Sequence, residues 1–342
     1  MVHLRIVVPS YQSDHALDLL ERTDSVCNLI YLEGVARQPE GDVILCDVAR
    51  EEASVLIGDL KELEIDHEGS IAMETIDSQI SDAANAAEKA ARGLPSDAVV
   101  WEEVESRTSE SIELSASFVA FMVLACLIAA CAIFLDQTIL IIGAMVVGPE
   151  FGPLAGLCVA AVERRRDLAR RSMKALAVGF PIGISAAFLM TLALNGLDLL
   201  PSSFVSGADG QFTSFISNPD LFSFLVAFFA GTAGVLSLTA AKSGALVGVL
   251  ISVTTIPAAA NIGVAAALGD ADEWAGAMAQ LSLTLVSITL AGVLTLFIQR
   301  RLYIRRRRAH LAESGSREAA GLPVGHSRRA DTITGGQPRR PS

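Results

Sequence analysis

The sequence predicts an α-helical polytopic membrane protein. Six transmembrane helices form a 3+3 inverted repeat with two broken helices, joined to an N-terminal α+β ferredoxin-like cytoplasmic domain. Three observations lead there. Of 342 residues, 51% are apolar and only 19% charged, below the share of about a quarter in soluble domains. The charge is unevenly divided: residues 1–110 carry 8 Lys/Arg against 24 Asp/Glu, a net of −16, while the remainder is net +4. Apolar stretches long enough to cross a bilayer core, about 20 helical residues each, begin only near residue 114. The bulk acidity therefore describes the N-terminal third alone.

Four parts follow: 1–78, 79–113, 114–299 and 300–342. In the first, His3–Val8 is an apolar strand, and Ser13–Arg22 carries Ala16, Leu17, Leu19 and Leu20 at helical spacing. Val26–Ala36 is β-rich, Arg37–Asp42 with Pro39 and Gly41 is a turn, and Val43–Val48 is the next strand. Arg50–Leu63 is amphipathic through Ala53, Leu56, Ile57, Leu60 and Leu63, and Ser70–Ile76 is the last strand. The order is βαββαβ, the ferredoxin-like split arrangement. Fold does not fix function, and a small-molecule sensor and a plain oligomerisation domain both stay open. Met1–Leu20 has no apolar run of the signal-peptide kind, so this acidic part is expected to stay on the side where it is made. Beyond it, Ser81–Arg92 reads as an alanine-rich helix ended by Gly93-Leu94-Pro95. Asp97–Glu113 is a connector whose Trp101 suits either a membrane interface or a packed core.

The spans fall at about 114–135, 137–162, 172–194, 221–241, 243–268 and 274–299. Cations orient them. The connection after the second span runs from Glu163 to Arg171 with five arginines, and Arg300, Arg301 and Arg305 to Arg308 follow the sixth. Asp136-Gln137, the Asn195–Asp220 loop and Gly269–Glu273 carry no Lys or Arg. Both basic segments lie on one side, with both termini, which makes that side cytoplasmic in a prokaryotic plasma (inner) membrane. The tail, 300–342, is basic and low in apolar residues, and disorder is expected there; Arg305 to Arg308 suit anionic lipid.

Three plus three spans put the two halves in opposite orientations, and the middle span of each half is interrupted alike. Gly148-Pro149-Glu150-Phe151-Gly152-Pro153 breaks the second, and Thr254-Thr255-Ile256-Pro257 with Asn261 breaks the fifth. Proline removes a helical hydrogen bond. In lipid the freed backbone must be buried in protein or line a cavity, and matched breaks of this kind point to a transporter's binding site. Glu150 is the acid at mid-depth, with no Lys, Arg or His predicted at a membrane centre to pair with it. Such acids face cavities or carry protons and cations. The candidate transport or ion-binding residues are therefore Glu150, Gly148, Pro149, Thr254, Thr255, Pro257 and Asn261, with Thr254, Thr255 and Asn261 expected to face Glu150. A kinked packed helix with a neutral, internally bonded Glu150 is the structural alternative. Gly152, Gly156, Gly179, Gly183, Gly244 and Gly248 recur at four-residue spacing, which lets backbones approach, either between the broken helices of one protomer or at a subunit interface.

The run Gly143-Ala144-Met145-Val146-Val147-Gly148-Pro149-Glu150-Phe151-Gly152-Pro153-Leu154 resembles the signature of a bacterial and archaeal family of hydrophobic proteins, domain of unknown function 389. The resemblance continues at Thr255-Ile256-Pro257 and through the sixth span, over about 115–300. The more usual form has Ser before the proline and no acid after it, so Gly148 and Glu150 depart from it. The resemblance implies no substrate and no catalytic residues.

A secondary transporter or channel-like carrier of an ion or small polar solute, passing between the second and fifth spans, is the first reading. A non-transporting sensor or scaffold, whose acidic domain binds a ligand or partner, is the second. An intramembrane enzyme ranks below both: there is no His-Glu-x-x-His, no aspartate pair in the spans, and His3, His15, His67, His310 and His326 all fall outside them. No metal site, cofactor or nucleic-acid partner is expected; the bilayer, an unidentified solute and further copies of the chain are.

Overall fold

The structure, a computed structural model, describes residues 1–76, 78–91, 99–201, 219–239 and 255–312. The chain divides into two compact units. One takes Met1–Val104 and the last helix from Gln299 onward; the other starts at Glu105 and ends at Ile298.

Alternation builds the first unit. Strand β1 (Val2–Val8) buries Val2, Leu4, Ile6 and Val8 and turns His3, Arg5 and Val7 the other way, the period of two that a half-covered strand requires. Helix α1 (Ser13–Glu21), β2 (Val26–Arg37), β3 (Glu40–Val48), α2 (Arg50–Glu62), the short α3 (Ile65–Glu68) and β4 (Ser70–Thr75) follow. The sheet is antiparallel with order β2-β3-β1-β4, which is how a split βαββαβ chain lays its strands. Its core joins Leu4, Ile6, Ile44 and Cys46 to Leu19 and Leu20 of α1 and Leu56, Ile57 and Leu60 of α2. Strands β2 and β3 run closer to their hairpin than expected: the turn shrinks to Gln38-Pro39, because pairing persists to Arg37–Glu40.

Helix α4 (Asp82–Ala90) is capped by Ser81, whose Oγ accepts the Ala84 N–H at 3.3 Å. Helix α5 (Trp101–Ser111) opens with Trp101, which is buried in a core rather than set at an interface: it is 1% exposed and its backbone N–H donates to Ser54 Oγ. Ion pairs of Arg50 with Glu103 (2.8 Å) and Lys61 with Glu102 (3.2 Å) fix the same turn of α5 to α2.

The second unit is that of a membrane-embedded protein. Helices α6 (Ala116–Leu135), α9 (Arg166–Gly196), α10 (Leu221–Thr239) and α12 (Ala271–Ala312) are long and apolar enough to cross a bilayer among the described residues. Helices α7 (Thr138–Val147) and α8 (Phe151–Glu163) meet at a 52° bend and form a fifth if taken as one span. Helix α11 (Thr255–Leu268) is apolar but shorter. The first half of the span expected at 243–268 lies outside the described residues, as do most of the Asn195–Asp220 loop, Gly93-Leu94-Pro95 and 313–342. Caps set the ends: Ser115 Oγ accepts the Phe118 N–H at the start of α6, and Asp220 and Asp270 accept the Ser223 and Glu273 N–H groups before α10 and α12.

The expectation of disorder from residue 300 needs correction. Helix α12 continues to Ala312. From Gln299 to Ala312 there is no Gly or Pro, and Arg, Leu and Ala are good helix formers, so nothing stops the helix where it leaves the apolar segment. Packing in the first unit reinforces it: Tyr303 is 8% exposed, its ring lies edge-on to Trp101, and its hydroxyl donates to the Ser54 carbonyl.

Candidate functional site

The break between α7 and α8 follows from three residues. Gly148 takes an extended conformation (ψ 129°), as a residue before proline is driven to do. Pro149 supplies no N–H to continue α7. Glu150 then occupies the N-cap of α8 but does not cap it with its side chain. Its carboxylate reaches across to α11, where Thr255 Oγ1 donates to Glu150 Oε1 at 2.6 Å. Residues 105 apart in the chain are joined there, both nearly inaccessible, at 2% and 0% exposure. Glu150 Oε2 is buried with no hydrogen-bond partner, and no ion pair to Glu150 occurs among the described residues.

Gly148 makes room for this arrangement. A Cβ there would stand 2.3 Å from Glu150 Oε2 and 2.6 Å from Ile256 Cγ1. Gly148 and Glu150 are thus linked sterically: the carboxylate occupies the space that a side chain at 148 would need. The N–H groups of Phe151 and Gly152, at the positive end of α8, add a favourable field for the carboxylate.

The other expected site residues divide. Pro257 falls in the first described turn of α11, a place a helix tolerates, and is buried beside Thr255 and Ile256. Asn261 is fully buried, yet its amide donates to Glu273 Oε1 at 3.3 Å. It stands six residues beyond Thr255, about 9 Å along the helix, and points its bond to the α12 end rather than to Glu150. The expectation that it faces Glu150 is thereby corrected. Thr254, Gly244 and Gly248 lie outside the described residues.

The remaining glycines receive neighbours other than a second broken helix. A Cβ on Gly152 would meet Ser111 O at 2.8 Å, and one on Gly156 would meet Ser172 Oγ at 2.4 Å and Ile112 Cγ2 at 2.6 Å. These two seat the end of α5 and the start of α9 on α8. Gly179 and Gly183 of α9 meet Phe118 and Cys126 of α6. Helix α11 is embedded deepest: a Cβ on Gly263 would come within 2.6 Å of Ile184 O, so α11 and α9 touch backbone to side-chain-free backbone.

Residues that the sequence reading passed over include Gln280, Thr284 and Ser287 of α12, at most 1% exposed. Their i, i+4, i+7 spacing on one face of an apolar helix was the available signal. Thr284 Oγ1 has no hydrogen-bond partner, while Ser287 Oγ donates back to Leu283 O. In the first unit Cys46 is buried, and burial pushes its thiol up to about 12, which makes it inert. No cluster of three or more metal-ligating side chains occurs among the described residues.

Residues 145–290 match a family model, Domain of unknown function (DUF389). The DUF389 match begins within the Gly-Pro motif and contains Glu150, Thr255, Asn261 and the polar face of α12. An uncharacterized protein of Methanocaldococcus jannaschii is 26% identical over 195 residues, which make up 57% of this chain. The aligned region spans 58% of that relative's length. No solved structure matches the chain. The DUF389 resemblance read from the motif is therefore present, and it assigns no activity.

Proposed function

We propose that the protein is a secondary transporter or channel-like carrier of an ion or small polar solute, with the Glu150–Thr255 pair as its coupling site. The observation that carries this reading is the half-satisfied carboxylate. Glu150 is enclosed by the membrane unit, takes one hydroxyl bond, and keeps one oxygen without a partner. A structural acid at this depth is stabilised by filling both oxygens; one that holds a spare acceptor can exchange a proton or bind a cation. Its two ligating elements, the break before α8 and the start of described α11, are where irregular backbone is tolerated in a bilayer. On this reading the membrane part has six spans in two inverted halves, the termini are cytoplasmic, and the protein works as a homo-oligomer in a prokaryotic plasma membrane.

The test is flux in proteoliposomes containing the full chain. A panel of ions and small metabolites is applied across a pH gradient, with current and internal pH both recorded, for the native chain and Glu150→Gln. Substrate-dependent flux that is present in the native chain and lost in a folded Glu150→Gln supports the proposal. Silence in both readouts across the panel refutes it and favours a sensor or scaffold that binds ligand through residues 1–78. Removal of residues 1–110 separates the roles further, since flux that survives makes this part a regulator.

A further inference from the structure

The basic start of α9 carries two populations of cations. Arg165 pairs with Glu105 and, at 3.7 Å, with Asp167, and Arg171 lies 3.9 Å from Asp167. Arg166, Arg170 and Lys174 are exposed and pair with nothing among the described residues. They recur at i, i+4 and i+8, so they form one ladder on one face of the helix. That face continues without a turn into Ala177, Pro181 and Leu192, all exposed, while Leu168, Ser172, Ala175, Gly179, Gly183 and Ala187 line the opposite, buried face. Met173 is 55% exposed beside the ladder.

The apolar part of this exposed face has hydrocarbon as its natural solvent. The ladder therefore faces what lies just outside the hydrocarbon. At 1.5 Å per residue, Lys174, Arg170 and Arg166 stand about 5, 10 and 16 Å beyond Ala177. A headgroup layer is about 5 to 8 Å deep per leaflet. Lys174 thus falls at headgroup depth and Arg170 just past its outer edge, from which a long side chain reaches back, while Arg166 stands outside the layer. The free N–H groups at the start of α9 add to the positive potential there. We propose that this face is a binding site for anionic phospholipid, with Lys174 and Arg170 gripping the headgroup phosphate, Arg166 adding to the positive potential just outside it, and Met173 lying against the glycerol and upper acyl chain. Arg165 and Arg171, tied to carboxylates of the protein, take no part.

Lipid titration of the full, detergent-solubilised chain, followed by native mass spectrometry, tests this. The probes are phosphatidylglycerol and phosphatidylcholine. The native chain is expected to prefer the anionic lipid by tenfold or more, with about a fivefold loss for each cation removed. Arg170→Gln should lose about fivefold and the triple Gln variant all of the preference, while Arg171→Gln stays within about twofold of native. Circular dichroism confirms that each variant keeps its helices, and the single Arg170→Gln decides the matter if the triple variant does not. An unchanged preference in Arg170→Gln, or an equal loss in Arg171→Gln, overturns the proposal. So does displacement of the lipid by millimolar inorganic phosphate or by a short nucleic acid, which would make the site one for a soluble anion.

Discussion

Asp42 and Asp47 in the sheet unit and Glu150 in the membrane unit are buried carboxylates held in opposite ways. In the sheet unit Asp42 is 2% exposed and accepts from Ser13 Oγ at 2.5 Å, from the Gly34 N–H and Tyr31 hydroxyl at 2.8 Å, and from Ser10 Oγ at 3.2 Å. The Ser13 bond first, then that of Gly34, holds its carboxyl below the usual range. Asp47 is similar: burial alone would raise it, but bonds from Asn28, His3 and Gln79 bring it down. Both acids act as locks, stitching β3 to neighbouring segments, Asp42 through four hydrogen bonds and Asp47 through three. Glu150 has one donor and one idle oxygen. A buried polar network is stabilising when filled and costly when half filled; Glu51 of α2 also buries its two oxygens without a partner, and what sets Glu150 apart is its place at the helix break of the membrane unit.

The largest expected effect tests that contrast directly. Glu150→Gln keeps the size and the Thr255 bond but removes the titratable proton. Flux in proteoliposomes should fall by about tenfold or more, as for a positioned proton-transfer group, while thermal stability in detergent holds or rises. A large loss of stability with flux retained would place Glu150 among the locks.

Asp42→Ala should show the reverse signature. It strands the donors of Ser10, Ser13, Tyr31 and Gly34 and should destabilise residues 1–104 by about 3 kcal/mol, read as a drop in the thermal midpoint of that unit. Flux per folded molecule should stay unchanged. The pH dependence follows with a definite sign. Because Asp42 and Asp47 titrate lower when folded, their stabilisation is present above the unfolded value, about 3.9, and is lost as the pH falls through the folded one. Acid melts from pH 6 to 3 should steepen below about pH 4 in the native chain and flatten in Asp42→Asn.

A smaller effect tests the steric link between Gly148 and Glu150. Gly148→Ala forces a Cβ against Glu150 Oε2 and Ile256 and should cost about 1 to 3 kcal/mol by overpacking. In a Glu150→Ala background part of that cost should vanish, with a coupling of about 1 kcal/mol in the double-mutant cycle. Additive losses would show that the carboxylate does not fill the space. At the bottom of the scale is Gly143→Ala, five residues earlier in the same motif. No atom lies within 4 Å of the Cβ it would add, and alanine in a helix is worth up to about 1 kcal/mol over glycine. The melting temperature should hold or rise slightly.

Much of this architecture could be read from residue order, because periodicity and chain chemistry act locally. The strands of the first unit, the interruption at Pro149 and the apolar runs of α6, α9, α10 and α12 needed no knowledge of neighbours. Composition misleads where it stands in for local propensity: the arginines after Gln299 suggest a disordered tail, yet helix propensity and the burial of Tyr303 extend α12 to Ala312. Residue order is silent where a partner has to be chosen. Nothing within the chain order distinguishes Thr255 from Asn261 as a partner for Glu150, since both are small polar residues in the same helix.

Sequence alone therefore determined that the chain enters a membrane, where its second span breaks, and that an acid follows the break. Those are consequences of hydrophobicity, of proline's missing N–H, and of residue identity at one position. Tertiary structure decided what the acid meets. Thr255 is brought to Glu150 across 105 residues, Asn261 is turned to Glu273, and Gly152 and Gly156 receive Ser111, Ile112 and Ser172. Hydrogen bonds and close packing are settled over a few ångströms by which helix faces meet, and that is set by the fit of all the helices together.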